Sequence, residues 1–257
     1  MPPTSVPATS TSTTPTREAV GGLRFVTASD GHLGQPKTDS RRYLTDFVAA
    51  VNRANAEEPL DFAVINGDIG HGGVALQQEA RVGLDQLDVP YFVTQGNHDE
   101  VSAAVWEAVW GAPSNQVRRL GMTSLVLANT SNEAGDYLCA EETWLERALA
   151  GEAGQTDVFL FMHITPNTWT TFGVACPGVR RLLADTANLR AVFNGHDHDQ
   201  ASVLVNDGTH YFFDAHYGGS WGTSYRAFRL VEVVGTRLAT RLVTVDGEAK
   251  EPTTLTW

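Results

Sequence analysis

The chain has 257 residues, 42% of them hydrophobic, and a formal net charge of -12. This length is sufficient for one well-buried domain and small for two. The strong negative charge argues against nucleic acid polymers and anionic membranes as partners, because like charges repel.

The N-terminal segment, residues 1–22, is rich in Ser, Thr and Pro and contains almost nothing to bury. This composition predicts a disordered tail over residues 1–22. We therefore expect a single folded domain over residues 23–257. No apolar run approaches the roughly 18 residues that span a bilayer, and the start lacks the pattern of a signal peptide. No membrane partner and a cytoplasmic location are expected.

Short apolar segments recur after the tail, and each is followed by a polar or glycine-containing turn. Both the odd-numbered and the even-numbered positions of these segments are apolar, which is typical of strands buried on both faces. The segments cover residues 23–28, 62–65, 91–93, 125–128, 158–162 and 191–193. Helical periodicity appears between several of them, over residues 42–54, 75–87, 141–149 and 179–184. Alternating strands and helices predict a largely parallel sheet.

The pattern changes from residue 201 onward. Strand-like segments over residues 201–205, 209–215, 225–234 and 236–245 are separated by tight turns with little helix between them. Consecutive strands joined by tight turns are typical of antiparallel pairing. The sequence therefore predicts a mixed α/β fold whose second sheet is built at least partly from the C-terminal end.

Potential metal ligands follow the predicted strands at the points where they end. The carboxyl ends of parallel strands meet in one crevice of an open sheet, so these side chains are expected to converge. Carboxylate, imidazole and amide oxygen ligands suit Mn, Fe or Zn, and the set is too large for one ion and sufficient for two. The candidates are Asp30, His32, Asp68, Asn97, His163, His196 and His198.

The spacing within this set suggests how the ions are bound. Asp30 and His32 are separated by one residue, which puts both side chains on the same side of an extended backbone. His196 and His198 have the same spacing. The carboxylate of Asp68 has two oxygens and can bridge a pair of ions.

The order of these motifs resembles that of the calcineurin-like metallophosphoesterase superfamily. The motifs are Asp-x-His, Gly-Asp, Gly-Asn-His-Asp, a lone His and Gly-His-x-His, and the resemblance extends from about Leu23 to past His198. It implies an α/β fold, a sandwich of two mixed β-sheets flanked by helices (α/β/β/α).

The resemblance also implies roles for individual residues. One divalent metal ion would be bound by Asp30, His32 and His198. The other would be bound by Asn97, His163 and His196, with Asp68 bridging the two. The implied activity is hydrolysis of phosphate esters by a hydroxide that bridges the metals. His98 would be catalytic, stabilising charge or protonating the leaving group.

One departure from the superfamily narrows the expected activity. Gly67 and Asp68 are followed by Ile69, Gly70 and His71, whereas the Ser/Thr protein phosphatases have a second Asp at the position of His71. What remains resembles the small prokaryotic phosphodiesterase and phosphohydrolase branch. A small phosphorylated substrate is therefore expected, with a preference for phosphodiesters or nucleotides. The alternatives are a phosphomonoesterase, a nucleotide pyrophosphatase and a noncatalytic scaffold.

Several residues remain outside this scheme. Cys139 and Cys176 are interpreted as two buried free thiols, with a disulfide as the alternative if the protein is exported. His71 and His216 occupy no motif position, although His216 follows the metal motifs closely enough to reach the mouth of the cleft. Asp99 is expected to orient nearby groups.

Overall fold

The computed structural model describes residues 22–257 and contains two six-stranded β-sheets packed face to face, with helices on their outer sides. The predicted sandwich of two mixed sheets flanked by helices is confirmed. The predicted tail over residues 1–22 lies outside the described residues except for Gly22.

The twelve strands of the described chain are β1 (Leu23–Ala28), β2 (Phe62–Asn66), β3 (Tyr91–Thr94), β4 (Gln116–Leu120), β5 (Thr123–Ala128), β6 (Asp157–Met162), β7 (Leu189–Asn194), β8 (Val203–Asn206), β9 (Thr209–Phe213), β10 (Ala227–Val234), β11 (Arg237–Thr244) and β12 (Ala249–Thr256). The helices are α1 (Ser40–Glu57), α2 (Val74–Leu84), α3 (Ala103–Trp110), α4 (Glu142–Gly151) and α5 (Pro177–Ala184). No helix within residues 22–257 has both the length and the apolar character needed to cross a membrane.

The strand order is β12-β11-β10-β1-β2-β3 in the first sheet and β4-β5-β6-β7-β9-β8 in the second. Strands β1 to β3 are parallel, as are β5, β6, β7 and β9. The C-terminal strands divide between the sheets, since β8 and β9 extend the second and β10 to β12 extend the first. The antiparallel expectation for the predicted segments holds for β8 with β9 and for β10 with β11, but it is wrong for β9 against β7.

Phenylalanine rings fill the space between the two sheets. Phe25 stacks on Phe62 with ring centroids 4.7 Å apart, and Phe161 of the second sheet stacks on Phe193 at 5.1 Å. The alternate residue Val26 faces away from this layer and packs in the cluster that includes helix α1. One face of each sheet therefore packs against the opposite sheet and the second face packs against helices, which is why alternate residues of the strands are all apolar.

Cys139 and Cys176 form a disulfide, so their interpretation as free thiols is wrong. Cys139 lies just before α4, and Cys176 immediately precedes α5. The two cysteines are 37 residues apart in sequence, a spacing that carries no signal for pairing. The folded chain brings them together because α4 and α5 cover the same face of the second sheet.

Candidate metal centre

The predicted ligands follow five strand ends that belong to both sheets. Asp30 and His32 come after β1, Asp68 after β2 and Asn97 after β3, all in the first sheet. His163 directly follows β6, and His196 and His198 follow β7, both in the second sheet. The cleft therefore lies where the carboxyl edges of two sheets meet, rather than along one sheet.

Six of these side chains form two groups, and the ligand atoms within each group lie within 4.8 Å of one another. In the first group, Nε2 of His198 lies 3.0 Å from Oδ1 of Asp30 and 3.0 Å from Nε2 of His32. The second group comprises Asp68, His163 and His196.

Asp68 lies between the two groups. Its Oδ2 atom is 3.3 Å from Nε2 of His163 and 3.5 Å from Nε2 of His32 in the first group. Its Oδ1 atom accepts a hydrogen bond from the backbone N–H of His98 at 2.8 Å. The carboxylate is thus oriented with one oxygen toward both groups.

Asn97 lies beside Asp68, because both of its neighbours contact that residue. His98 donates to the Asp68 carboxylate, and a Cβ atom added at Gly96 would lie 2.3 Å from the Asp68 backbone nitrogen. Only glycine permits such a close approach. The Asn97 side chain is buried.

Three buried ligand atoms have no hydrogen-bond partner within the described chain: Oδ1 of Asn97, Nε2 of His163 and Nε2 of His196. Buried polar atoms are nearly always partnered because desolvation without a partner is costly. All three atoms can offer a lone pair to a cation, and this mixture of nitrogen and oxygen suits Mn, Fe or Zn. The residues present therefore fit a bound metal.

Backbone carbonyls orient two of the imidazole rings. Nδ1 of His163 lies 2.7 Å from the carbonyl oxygen of Asn66, and Nδ1 of His198 lies 3.2 Å from that of Trp221. A carbonyl oxygen can only accept, so Nδ1 is the protonated nitrogen in each ring. This leaves the Nε2 lone pairs free, as in second-sphere orientation of metal-binding histidines.

The buried carboxylates of Asp30 and Asp68 favour a positive charge close to them. Burial opposes a charge on His163, but Asp68 and Asp30 outweigh it and raise the pKa of His163 to about 10. Burial lowers the pKa of His196 to about 3. A proton on His163 or a metal cation can each supply the missing positive charge.

Four of the predicted ligands have left-handed backbones: φ is 61° at Asp30, 46° at His32, 52° at Asp68 and 68° at His196. The expectation that Asp30 and His32 lie on an extended backbone is therefore wrong. Tight turns direct the side chains inward instead, held by bonds such as Asp30 N–H to the Gly67 carbonyl at 3.1 Å. Such strain concentrates at functional sites.

The neighbouring residues His98 and Asp99 face different surroundings. The half-buried ring of His98 lines the cleft, with its centroid 5.0 Å from that of His32. Asp99 is fully buried, and its carboxylate accepts hydrogen bonds from the backbone N–H groups of Asp68, Gly70 and Gly96. Asp99 therefore joins the turns that carry the second and third motifs.

Two histidines without a motif position also lie near the centre. His71 stacks on His98 at 4.7 Å, and its Nδ1 is 3.2 Å from Nδ1 of His32. His216 is buried and stacks on His198 at 5.1 Å, so it lies behind that ring and does not line the cleft. The only sequence signal for His71 is its position three residues after Asp68.

Aromatic and polar side chains form the walls of the cleft. Gln35, Tyr137, Phe172 and Trp221 surround the metal-ligand candidates. No Lys or Arg lines it within the part of the chain that the structure describes. Positive charge in the cleft must therefore come from bound metal or protonated histidine.

Two adjoining groups of metal-ligating side chains at the carboxyl ends of the strands of an α/β/β/α sandwich are suited to metal-assisted hydrolysis. Residues 23–200 match the sequence profile of the calcineurin-like phosphoesterases, so the chain belongs to that family. It is a metal-dependent phosphoesterase, and the family uses a binuclear divalent metal centre.

Solved structures from three organisms share the fold. A dimetal phosphatase from Danio rerio is 15% identical with a TM-score of 0.72, over 91% of this chain and 99% of that one. GAP50, the anchor in the inner membrane complex of Plasmodium, is 13% identical with a TM-score of 0.65, over 91% and 89%. A predicted phosphoesterase from Streptococcus pneumoniae is 14% identical with a TM-score of 0.52, over 92% and 98%. At these identities the likeness concerns the fold alone. A search of curated protein sequences found no significant match.

Proposed function

We propose that this protein hydrolyses small phosphodiesters with the help of two divalent ions, Mn, Fe or Zn. One ion would be bound by Asp30, His32 and His198, and the other by Asn97, His163 and His196, with Asp68 bridging them. The observation that carries the proposal is the position of Asp68 Oδ2, 3.5 Å from Nε2 of His32 and 3.3 Å from Nε2 of His163.

The bound ions would polarise the phosphoryl group and activate water as the nucleophile. The chain itself orients the ligands through the backbone contacts of His163 and His198. The His98 ring lines the cleft, and its backbone is fixed by the bond from its N–H to Asp68. From this position His98 would donate a proton or a hydrogen bond to the departing oxygen.

The charges of the cleft favour a diester over a monoester. Two divalent ions are partly offset by the carboxylates of Asp30 and Asp68, and no Lys or Arg of the described chain lines the cleft. A phosphodiester brings one negative charge, whereas monoesters and pyrophosphates bring two or more. The four positive charges of the ions, less two for Asp30 and Asp68 and one for a hydroxide nucleophile, leave about one positive charge, which a diester neutralises and a dianionic monoester or pyrophosphate exceeds. A phosphomonoesterase or a nucleotide pyrophosphatase is therefore the less favoured alternative.

The test compares bis(p-nitrophenyl) phosphate with p-nitrophenyl phosphate. Chelator-treated protein should be inactive, and adding back Mn, Fe or Zn should restore hydrolysis with a higher kcat/KM for the diester. A higher kcat/KM for the monoester would reject the diester preference. Hydrolysis of neither ester with any metal would favour the noncatalytic scaffold.

Two variants separate metal binding from chemistry. Asp68→Asn should reduce metal occupancy at both positions, and full retention of two ions would contradict the bridging role. His98→Ala should keep its metals but lose more turnover on an alkyl ester than on a p-nitrophenyl ester, because the poorer leaving group needs the proton more. Asp88→Asn, at an exposed carboxylate remote from the cleft, is the matched control.

The disulfide favours an oxidising compartment over the expected cytoplasmic location, because cytosolic thiols are kept reduced. Thiol labelling of the protein isolated from its native cells tests this proposal. Labelling of Cys139 and Cys176 only after reduction would support it. Labelling of both without a reductant would restore the cytoplasmic expectation.

A further inference from the structure

Three aromatic side chains, Tyr137, Phe172 and Trp221, form an aromatic collar around the metal-ligand histidines. Tyr137 meets His196 edge to face with ring centroids 4.5 Å apart, and Phe172 meets it at 5.6 Å. Trp221 lies flat against His198 at 4.4 Å. Phe172 also contacts Trp221 at 5.4 Å, so the collar is continuous on that side.

The collar rings remain accessible although they are large and apolar. Tyr137 and Trp221 are each 42% exposed, and Phe172 is half-buried. All three line the cleft that contains His98 and Asp68. Packing within the protein does not use these exposed faces, and apolar surface beside a polar centre is typical of ligand sites.

The collar is held in place by bonds to the metal-ligand loops. Thr130, at the base of the loop that carries Tyr137, accepts a hydrogen bond from the backbone N–H of Ile164 at 3.0 Å, next to His163. The Cys139–Cys176 disulfide joins this loop to the segment that carries Phe172.

A third bond fixes that second segment. The hydroxyl of Thr170 donates to Oδ2 of Asp197 at 2.8 Å, between His196 and His198. The walls are therefore attached to the ligand loops on both sides. A preformed wall of this kind loses little conformational entropy when a ligand binds.

We propose that the aromatic collar binds a flat, uncharged aromatic group of the substrate, a nucleobase or other aryl ring, next to the phosphodiester. This specificity rests on the proposed phosphodiesterase function. Aromatic faces suit such a group because ring pairs gain energy beyond simple burial. The absence of Lys and Arg from the described cleft lining favours an uncharged group at this place.

The test measures binding of phenylphosphonate and cyclohexylphosphonate to the metal-loaded protein by calorimetry. The two ligands have the same ring size, the titrations are run at a pH where both phosphonates carry the same charge, and their P–C bonds resist hydrolysis, so the comparison does not depend on turnover. We expect phenylphosphonate to bind about three- to tenfold more tightly. Equal affinities in the wild-type protein would overturn the proposal.

Failure of the two proposals can be distinguished. If no phosphoester is hydrolysed, the proposed function fails, while the ratio of the two phosphonate affinities still tests the collar. If diesters are hydrolysed but the two phosphonates bind equally, only the collar proposal fails.

Variants assign the preference to particular rings. Tyr137→Leu and Phe172→Leu should each bring the affinity ratio toward one with both metals retained. Leu138→Ala is the matched control, because Leu138 lies in the same loop, is 40% exposed and does not line the cleft; its ratio should stay at the wild-type value. A wild-type ratio in both Leu variants would overturn the proposal, and the wild-type comparison decides if a variant fails to fold.

Discussion

His71 illustrates how a single side chain can act on the centre without being one of the predicted ligands. Its backbone N–H donates to the carbonyl of Leu33 at 2.9 Å, which fixes the ring beside His32. Its Nδ1 then lies 3.2 Å from Nδ1 of His32. This hydrogen bond would hold the His32 ring with Nε2 directed toward Asp30 and Asp68.

We predict that His71→Ala weakens binding of the ion assigned to Asp30, His32 and His198 by about tenfold, which is the lower range for loss of a partner behind a metal ligand. The ion of the other group should bind as before. A metal titration that resolves the two binding steps measures this, with His210→Ala as the control histidine. If both metal-binding steps are weakened by the same factor, or if neither step is weakened, the proposed role of His71 is rejected.

The sequence could identify the residues that converge at the metal centre, but not the backbone conformation that positions them. Asp30, Asp68 and His163 could be recognised because ligand types follow buried strands, whose ends must converge. The left-handed turns at Asp30 and Asp68 could not, because non-glycine residues rarely adopt them and no local signal marks them. The same limit applies to His71, whose position depends on the turn after Asp68.

Asp214 provides a pH-dependent test of stability. Burial raises the pKa of Asp214 to about 7, although the Arg229 guanidinium opposes this. The folded protein therefore binds a proton that the unfolded chain releases near pH 4. This contribution to stability is fully present below about pH 4 and is lost as the pH rises to about 7.

The measurement is urea unfolding of metal-free wild-type protein and Asp214→Asn across this pH range. As the pH rises from about 4 to about 7, the unfolding free energy of the wild-type protein should fall relative to that of Asp214→Asn by up to about 1.4 kcal/mol per pH unit. The shift should cease above about pH 7. A difference that does not change with pH would show that Asp214 is ionised throughout.

At the level of elements, burial determined what could be predicted. Strands such as β2 and β6 are buried along their whole length and therefore have a strong apolar signal. The edge strands β4 and β12 were not predicted, because they are partly exposed and contain mostly polar residues. Helix α3 was missed because nearly all of its residues are apolar, so no polar face marks a helical period; helix α5 has the same length but alternates polar and apolar positions and was predicted.

The disulfide connects the segments before α4 and α5, and its loss should affect stability. We predict that Cys139→Ala combined with Cys176→Ala lowers the free energy of unfolding by about 2–4 kcal/mol, because the unfolded chain regains the entropy of a closed loop. Urea unfolding measures the change. Wild-type protein treated with a reductant should fall to the stability of the double variant, and an unchanged midpoint in both would contradict the prediction.

At the level of the whole molecule, the candidate centre depends on both sheets. Asn66 of the first sheet donates its side-chain amide to the carbonyl of Phe193 in the second at 2.9 Å, and it accepts from His163 through its own carbonyl. Because each sheet supplies part of the centre, the ligands converge only when the sandwich has assembled. Bound metal should therefore stabilise the assembled fold by mass action.

The net charge of -12 predicts how substrate length affects hydrolysis. A dinucleotide presents one phosphodiester charge, which the metal centre attracts, whereas a long oligonucleotide adds phosphates that face the negative surface. Repulsion between them extends over the Debye length, about 8 Å at physiological salt, and weakens as salt is added. We therefore predict a higher kcat/KM per bond for the dinucleotide at low salt, with the difference narrowing as NaCl increases.

Proteins that bind polynucleotides through cationic side chains show the opposite trend, because their affinity falls with salt. An oligonucleotide that is cleaved as well as the dinucleotide at low salt, and less well at high salt, would indicate a basic binding surface and reject the prediction.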